Sequence, residues 1–239
     1  MNRGPERLAS PWRALATDYD GTLAEGGRVP VETLAALGRW KASGRLLILV
    51  TGRQLDDLLG VFPHAGLCDL VVAENGALLY APAAQSVRSL APPPPQELVR
   101  ELRRRGVGHA RGRTVIATDQ SQAAEVEAAA HALGLSVELA LNKGALMVLP
   151  PGVDKRSGLL AALEELRLPA EEVVGVGDAE NDVPLLQLCG CAVAVANALP
   201  AVKEAAGVVT AGARGEGVRE LIDSLLRREP CPMSNSERS

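Results

Sequence analysis

The chain has 239 residues, a formal net charge of −4 and 47% hydrophobic residues. With two Trp, two Tyr and one Phe, it lacks the rings on which nucleic-acid bases stack, and its charge disfavours nucleic acids and anionic membranes as partners. No apolar run approaches the roughly 20 residues of a membrane-spanning helix, and residues 1–11 lack the apolar segment of a signal peptide. We therefore expect a cytoplasmic protein with its four cysteines reduced.

Short apolar runs alternate with helical patterns in the first third of the chain. The runs 14–17, 46–50 and 70–73 are predicted to be strands, separated by helices at 31–42 and 54–59. This order is typical of parallel strands that are joined by helical crossovers and buried on both faces. We therefore predict an α/β fold with a Rossmann-like parallel-sheet core.

The pattern changes between residues 82 and 152. Four consecutive prolines at 92–95 end regular structure before a helix that we predict at 96–105. Further along, the apolar runs 135–141 and 145–149 flank Asn142-Lys143-Gly144, which is typical of a β-hairpin with Gly in its turn. We predict that residues 82–152 form a small α+β module inserted into the larger domain.

The first alternation resumes after this module, with segments predicted at 155–166 (helix), 173–176 (strand), 183–189 (helix), 192–195 (strand) and 217–228 (helix). We therefore assign residues 12–81 and 153–228 to one core domain and 82–152 to a cap. The tails 1–11 and 229–239 are polar and are expected to be disordered.

Two carboxylates follow the first predicted strand, in Asp18-Tyr19-Asp20-Gly21-Thr22. Alternation along an extended chain sends Asp18 and Asp20 to the same side, where two negative charges need a cation or a shared proton. Gly21 allows a sharp turn, and Thr22 offers a hydroxyl and an N–H group to an anionic ligand. The alternative is a solvated acidic pair in an ordinary Asp-Gly turn.

Polar residues also follow the other predicted strands, and ligands of open parallel sheets bind beyond the carboxyl ends of the strands. They are Thr51, Gly52 and Arg53, Lys155 at the start of the helix after the module, and Asp178, Asn181 and Asp182. This set supplies carboxylates for a hard cation and a hydroxyl and an ammonium for an anion. Taken singly, Thr51 is typical of a helix cap and Lys155 of a solvated helix start, and Asp178 and Asp182 are typical of acidic residues at the positive end of the following helix.

Four segments together resemble the four motifs of the haloacid dehalogenase superfamily, namely residues 18–23, 50–53, 152–155 and 177–182. The inserted module resembles the cap of the Cof-type subgroup, whose members are mostly magnesium-dependent phosphatases. The resemblance spans residues 14–226. It implies a phosphoric monoester hydrolase that acts on a small phosphorylated metabolite through an aspartyl-phosphate intermediate.

The resemblance also implies individual roles. Asp18 would be the nucleophile, and Asp20 would protonate the leaving alcohol and then activate water. Thr51, Gly52 and Lys155 would hold the phosphoryl oxygens. The ligands implied for Mg²⁺ are the carboxylates of Asp18, Asp178 and Asp182 and the main-chain carbonyl of Asp20.

Substrate binding is expected near Asn75 and Gly76, because residues 74–77 resemble the segment by which related proteins approach the substrate; the alternative is a plain turn after the third strand. Arg53 and Asn181 are further candidates for contact with the substrate. The short cap resembles that of phosphoglycolate phosphatases more than that of sugar phosphatases, but a sugar phosphate stays open. A basic group could attract a carboxylate-bearing phosphate or form a solvated helix face. Its members are Arg100, Arg103, Arg104, Arg105, Arg111 and Arg113.

Two other functions stay open. A phosphomutase shares the first motif and the aspartyl phosphate but passes the phosphoryl group to a sugar hydroxyl. A signalling receiver domain also combines an Asp cluster, Mg²⁺, Thr and Lys on an α/β sheet, but the inserted cap and the acceptor after the first strand disfavour it. The sequence leaves the oligomeric state unknown.

Overall fold

The computed structural model describes residues 12–227, so the predictions for the tails 1–11 and 229–239 lie outside it. The strands are β1 (Ala14–Thr17), β2 (Leu46–Val50), β3 (Leu70–Ala73), β4 (Leu78–Ala81), β5 (Ser86–Ser89), β6 (His109–Arg111), β7 (Ile116–Asp119), β8 (Glu138–Asn142), β9 (Ala145–Leu149), β10 (Val173–Gly177), β11 (Cys191–Ala194) and β12 (Val208–Val209). The α-helices are α1 (Val31–Ala42), α2 (Leu55–Val61), α3 (Gln96–Arg104), α4 (Ala123–Ala132), α5 (Lys155–Leu166), α6 (Val183–Leu188), α7 (Pro200–Ala205) and α8 (Arg214–Leu226).

The larger sheet has the strand order β12-β11-β10-β1-β2-β3-β4-β5. Its first six strands are parallel, and β4 and β5 extend it antiparallel. In this register Thr17 of β1 lies between Leu49 of β2 and Val176 of β10, so these three strands end at one edge. The predicted α/β fold with a parallel-sheet core is confirmed.

Hydrophobic residues cover both faces of the larger sheet. Leu15 and Leu49 pack with Trp40 of α1 on one face, whereas Ile48 packs with Leu159 of α5 on the other. All five side chains are fully buried, and each contributes about 1.5–3 kcal/mol by leaving water. Burial on both faces explains why the strand sequences are continuously apolar.

The smaller sheet is antiparallel, with the order β6-β7-β9-β8. Leu102 of α3 and Val126 of α4 pack on Ile116 and Val148 of this sheet. The predicted hairpin is present as β8 and β9, and its turn places Lys143 at φ +46°. Strand β5 belongs to the larger sheet although its residues lie within 82–152, and the domain boundaries stay a prediction.

The cysteines and the shortest elements differ from the predictions. Cys191 is disulfide-bonded, whereas Cys68 and Cys189 are free thiols, so the prediction of four reduced cysteines is wrong. Cysteine spacing alone does not show which thiols pair. Strands β4, β5, β6 and β12 and helix α7, which are two to six residues long, were not predicted. Within residues 12–227, no helix is long and apolar enough to cross a bilayer.

Candidate active site

Three buried carboxylates meet beyond the ends of β1 and β10. Asp18 directly follows β1, and its N–H group donates to the carbonyl of Val176 on β10 at 3.0 Å. Asp178 directly follows β10, and Asp182 ends a short 3-10 turn after it. Carboxylate oxygens of Asp18, Asp178 and Asp182 lie within 4.8 Å of one another. Asp18 and Asp178 are 160 positions apart in the chain, but they meet at the carboxyl ends of two neighbouring parallel strands.

Lys155 lies between two of these carboxylates. Its Nζ is 2.6 Å from Asp18 Oδ1 and 2.5 Å from Asp182 Oδ1, and its side chain is 0% exposed. Asp154 caps helix α5 by accepting from the N–H of Ser157 at 2.7 Å, which fixes the first turn that carries Lys155. Burial opposes the charge of Lys155, but the two carboxylates outweigh it and raise its pKa. The solvated helix-start interpretation is therefore wrong.

Backbone and side-chain donors hold the loop after β10. Asp182 Oδ2 accepts from the N–H groups of Asp178 and Ala179 at 2.9 and 3.0 Å. The Thr22 hydroxyl donates to Asp178 Oδ1 at 2.8 Å, so it serves a protein carboxylate. Gly21 adopts φ +82° against Asp178, and a Cβ at this position would collide with that carboxylate. The position therefore requires glycine.

With all three carboxylates ionised, the cluster would carry more negative than positive charge. Lys155 and Lys143, whose Nζ contacts Asp178 Oδ2, face three carboxylates. Burial raises the pKa of Asp18 to about 8, against the opposing effect of Lys155, and it also raises the pKa of Asp178 above its usual value. A buried set of carboxylate oxygens with unbalanced charge fits Mg²⁺, which prefers oxygen ligands.

The carboxylate of Asp20 lies outside this cluster and pairs with Arg53. Arg53 Nε is 2.5 Å from Asp20 Oδ2, and Nη2 is 2.8 Å from Oδ1, a two-point ion pair. A third contact joins Arg53 Nη1 to Asp57 at 2.5 Å, and the guanidinium lies 5.6 Å from the centre of the Tyr19 ring. Hydrogen bonding to Asp20 raises the pKa of Arg53 further, so the guanidinium keeps its charge.

Thr51 and Gly52 follow β2 beside the cluster. The Thr51 side chain is 1% exposed, and its hydroxyl accepts from the N–H of Arg53 at 3.1 Å. Because Gln54 occupies the N-cap position of α2, the helix-cap interpretation of Thr51 is wrong. A Cβ on Gly52 would lie 3.0 Å from Met147 Cε of β9, so the smaller sheet approaches the backbone here.

Asn75 and Asn181 are joined, whereas Gly76 has a packing role. Asn181 Nδ2 donates to Asn75 Oδ1 at 2.9 Å, and Asn181 Oδ1 is buried with no partner among the described residues. A Cβ on Gly76 would collide with the carbonyl of Asp154, which lets α5 pack closely against this segment. A cavity of about 340 Å³ beside the two amides is also lined by Glu138, Asp154 and Glu180.

A model of the haloacid dehalogenase-like hydrolases matches residues 15–103 and 112–222. The chain belongs to this family. A haloacid dehalogenase-like hydrolase from Bacteroides thetaiotaomicron has a similar structure, with a TM-score of 0.76 and 19% identity over 90% of this chain and 99% of that one. The family resemblance stated from the four motifs is confirmed.

Relatives that the chain matches over nearly their whole length are named as phosphatases. The phosphoglycolate phosphatase of Methanothermobacter thermautotrophicus is 32% identical over 90% of this chain and 99% of its own length. That of Methanopyrus kandleri is 34% identical over 89% of this chain and 96% of its own. The prediction of a phosphatase of this family is confirmed.

Two residues of this haloacid dehalogenase-like site were missed from the sequence. Asn197 Nδ2 donates to the carbonyl of Gly21 at 2.8 Å, and its Oδ1 accepts from the N–H of Arg214 at 2.7 Å. Because Asn197 follows β11, a search for polar residues after the carboxyl ends of the strands could have found it. Lys143 carried no comparable signal, because its sequence context was that of a hairpin turn.

Three arginines of the basic group form ion pairs outside the carboxylate cluster. Arg104 and Arg105 both pair with Glu101 on α3, at 2.6 and 2.8 Å. Arg113 pairs with Asp56 at 3.0 Å. For Arg104 and Arg105 these contacts favour the alternative that the basic group forms a solvated helix face, because their partner Glu101 lies on the same helix.

Proposed function

We propose that this protein is a magnesium-dependent phosphatase that hydrolyses a small phosphorylated metabolite through an aspartyl phosphate on Asp18. The observation that carries the proposal is the buried contact of Lys155 with Asp18, beside Asp178, at the carboxyl edge of the sheet. An anionic nucleophile meets an anionic phosphate only where positive charge offsets the repulsion. Lys155 supplies a fixed positive charge at that place.

Phosphoryl transfer would proceed in two steps at this site. An Asp18 oxygen bonds to phosphorus, the bond between phosphorus and the leaving oxygen breaks, and Asp20 gives its proton to that oxygen. Asp20 then takes a proton from water, which attacks phosphorus, releases phosphate and restores Asp18. The ion pair with Arg53 suits the ionised form of Asp20, so this pair must open before Asp20 can act as the acid.

The residues beside Asp18 would divide the remaining work. We assign Thr51, Gly52 and Lys155 to the phosphoryl oxygens, and Asp18, Asp178 and the Asp20 carbonyl to Mg²⁺, which would offset the charge of the phosphoryl group. Both oxygens of Asp182 already accept hydrogen bonds. Its contribution to the metal site is therefore chiefly to hold Lys155 and the Asp178 loop.

We propose phosphoglycolate as the first substrate to test, because the curated relatives named above carry that activity in their names. The cleft beside Asp20 supports an ester with a second anionic group. Its volume is about 480 Å³, and Arg53, Lys143 and Arg214 line it. Asn75 and Asn181, joined by their hydrogen bond, would contact the substrate from the opposite side.

The test is phosphate release from a panel of phosphorylated metabolites with Mg²⁺ and with a chelator. We expect Asp18→Asn to lower turnover by about a thousandfold or more while circular dichroism stays unchanged, because the carboxylate does the chemistry. Chelation should stop the reaction, and added Mg²⁺ should restore it. Substantial turnover by Asp18→Asn, or full activity in chelator, would contradict the mechanism.

The same assays separate the two alternatives. An isomerised phosphosugar without free phosphate would indicate a phosphomutase. A long-lived phosphoprotein without multiple turnover would indicate a receiver-like protein.

A further inference from the structure

Lys143 reaches the carboxylate cluster from the inserted segment. It lies at the tip of the β8–β9 hairpin, and its Nζ contacts Asp178 Oδ2 although its side chain is 37% exposed. Its N–H group donates to Glu180 Oε2 at 3.4 Å, so the tip lies on the loop that follows β10. Lysine at a hairpin tip ordinarily extends into water, whereas this one pairs with a carboxylate that is 0% exposed.

The partner of Lys143 distinguishes it from the other cations of the cleft. Arg53 pairs with Asp20, and Arg214 pairs with Glu25 at 2.8 Å. Lys143 alone among these three contacts a carboxylate that we assign to Mg²⁺. A divalent cation on Asp178 and the ammonium at Oδ2 would repel each other, so binding of one weakens binding of the other. A metal on Asp178 would therefore release the ammonium of Lys143 into the cleft.

The released ammonium would face the side of the site that suits an anion. The cleft of about 480 Å³ is lined by Lys143, Arg53 and Arg214 and by two carboxylates, Asp20 and Glu25, each of which pairs with one of the arginines. The cavity of about 340 Å³ on the other side is lined by Glu138, Asp154 and Glu180 and, among the described residues, by no Lys or Arg. A second anionic group of the substrate would be repelled there and attracted to the cleft.

We propose that Lys143 exchanges partners, from Asp178 to the second anionic group of the substrate when a divalent cation binds Asp178, and so determines specificity for carboxylate-bearing phosphate esters. The proposal rests on the function proposed above. The hairpin of β8 and β9 would then respond both to the cation on Asp178 and to the second anionic group of the substrate. Arg214 keeps its partner Glu25, Arg53 keeps Asp20 until Asp20 acts as the acid, and both arginines shape the cleft.

The first experiment measures Mg²⁺ binding alone by titration calorimetry on metal-stripped protein. Lys143→Met removes the competing ammonium, so we expect its Kd for Mg²⁺ to be lower by about three- to tenfold. Lys143→Arg keeps a cation and should bind Mg²⁺ like the wild type. Lys203→Met on α7 is the matched control, because it removes one lysine from outside the cleft. Equal Kd values for wild type and Lys143→Met would overturn the exchange.

The second experiment compares kcat/KM for phosphoglycolate with that for ethyl phosphate, which lacks the carboxylate, at saturating Mg²⁺. We expect Lys143→Met to lower the ratio of the two values by about tenfold, mainly through KM for phosphoglycolate. Lys143→Arg should retain most of the ratio. Circular dichroism checks each variant, and Lys143→Gln replaces the Met variant if that one does not fold.

The outcomes distinguish the proposed role of Lys143 from the proposed phosphatase function. If the wild type released phosphate from no ester, the proposed function would fail, and so would the specificity role. If the wild type is active and Lys143→Met has the same ratio, only the role of Lys143 is overturned. A wild type that does not prefer the carboxylate-bearing ester also overturns that role.

Discussion

Two lysines contact the same carboxylate cluster in different surroundings. Lys155 begins a core helix, is 0% exposed and contacts both Asp18 and Asp182. Lys143 lies at a hairpin tip, is 37% exposed and contacts Asp178. A buried ammonium must keep its partners because an unpaired buried charge is costly, whereas a partly exposed one can be solvated when it leaves. The comparison indicates a fixed lysine for the phosphoryl group and an exchangeable one for recognition.

Removing each lysine would test this difference most strongly. We expect Lys155→Met to lower the free energy of unfolding by about 3–5 kcal/mol, because it leaves buried carboxylates without their cation. Lys143→Met should change it by less than about 1 kcal/mol, since water screens that ion pair. Urea unfolding of both variants and the wild type in chelator makes the measurement. Similar losses for the two variants would show that both lysines are structural.

The same contrast separates what the sequence could predict from what it could not. The bounds of β1, β2, α1 and α5 are those predicted, because apolar runs and helical spacing are local signals. The site residues at the carboxyl edge followed from the strand predictions and one topological rule. This approach found four site residues, namely Asp18, Lys155, Asp178 and Asp182. Asn197 was missed because the residues that follow β11 were not considered.

Lys143 could not be predicted from the sequence by these rules. Asn142-Lys143-Gly144 has the composition of a solvated turn, and the hairpin was predicted correctly as a local element. Its contact with Asp178 depends on how the smaller sheet lies on the larger one, for instance where Met147 meets Gly52. Tertiary packing of this kind leaves no pattern within one segment.

Glu74 is a second contact between the core and the inserted segment, because its carboxylate binds residues 113 and 114 from the end of a core strand. It follows β3 and is 1% exposed, and its carboxylate accepts from the N–H groups of Arg113 and Thr114 at 3.0 and 2.7 Å. The Thr114 hydroxyl donates to it at 2.7 Å. We expect Glu74→Gln to cost about 1–3 kcal/mol, since an NH₂ group would face these donors.

Hydrogen exchange would locate the effect of Glu74→Gln. Amides of residues 109–119 should exchange faster than in the wild type, whereas those of α1 should change little. Glu97→Gln on the exposed surface of α3 is the control. Uniform acceleration in both regions would instead indicate global destabilisation, and unchanged exchange at 109–119 would show that Glu74 does not hold this segment.

A further expected effect concerns which carboxylate Lys155 needs for stability. Burial raises the pKa of Asp18 from 3.8 to about 8, so within this range the folded protein binds a proton that the unfolded chain does not. The free energy of unfolding in chelator should therefore fall as the pH rises from about 4 to about 8. Asp18→Asn removes the charge, keeps the Lys155 contact with Asp182, and should abolish this fall.

Thermal unfolding in chelator at several pH values would measure the change. At the alkaline end of the range, Asp18→Asn should unfold at a higher temperature than the wild type, by about 2–4 °C for each kcal/mol regained. Asp56→Asn, at a carboxylate whose side chain is 77% exposed, is the matched control and should keep the wild-type slope. If the slope persisted in Asp18→Asn, it would have to be assigned to Asp178, whose pKa burial also raises. Lys155 would then stabilise the fold through Asp182, and its contact with Asp18 would serve catalysis alone.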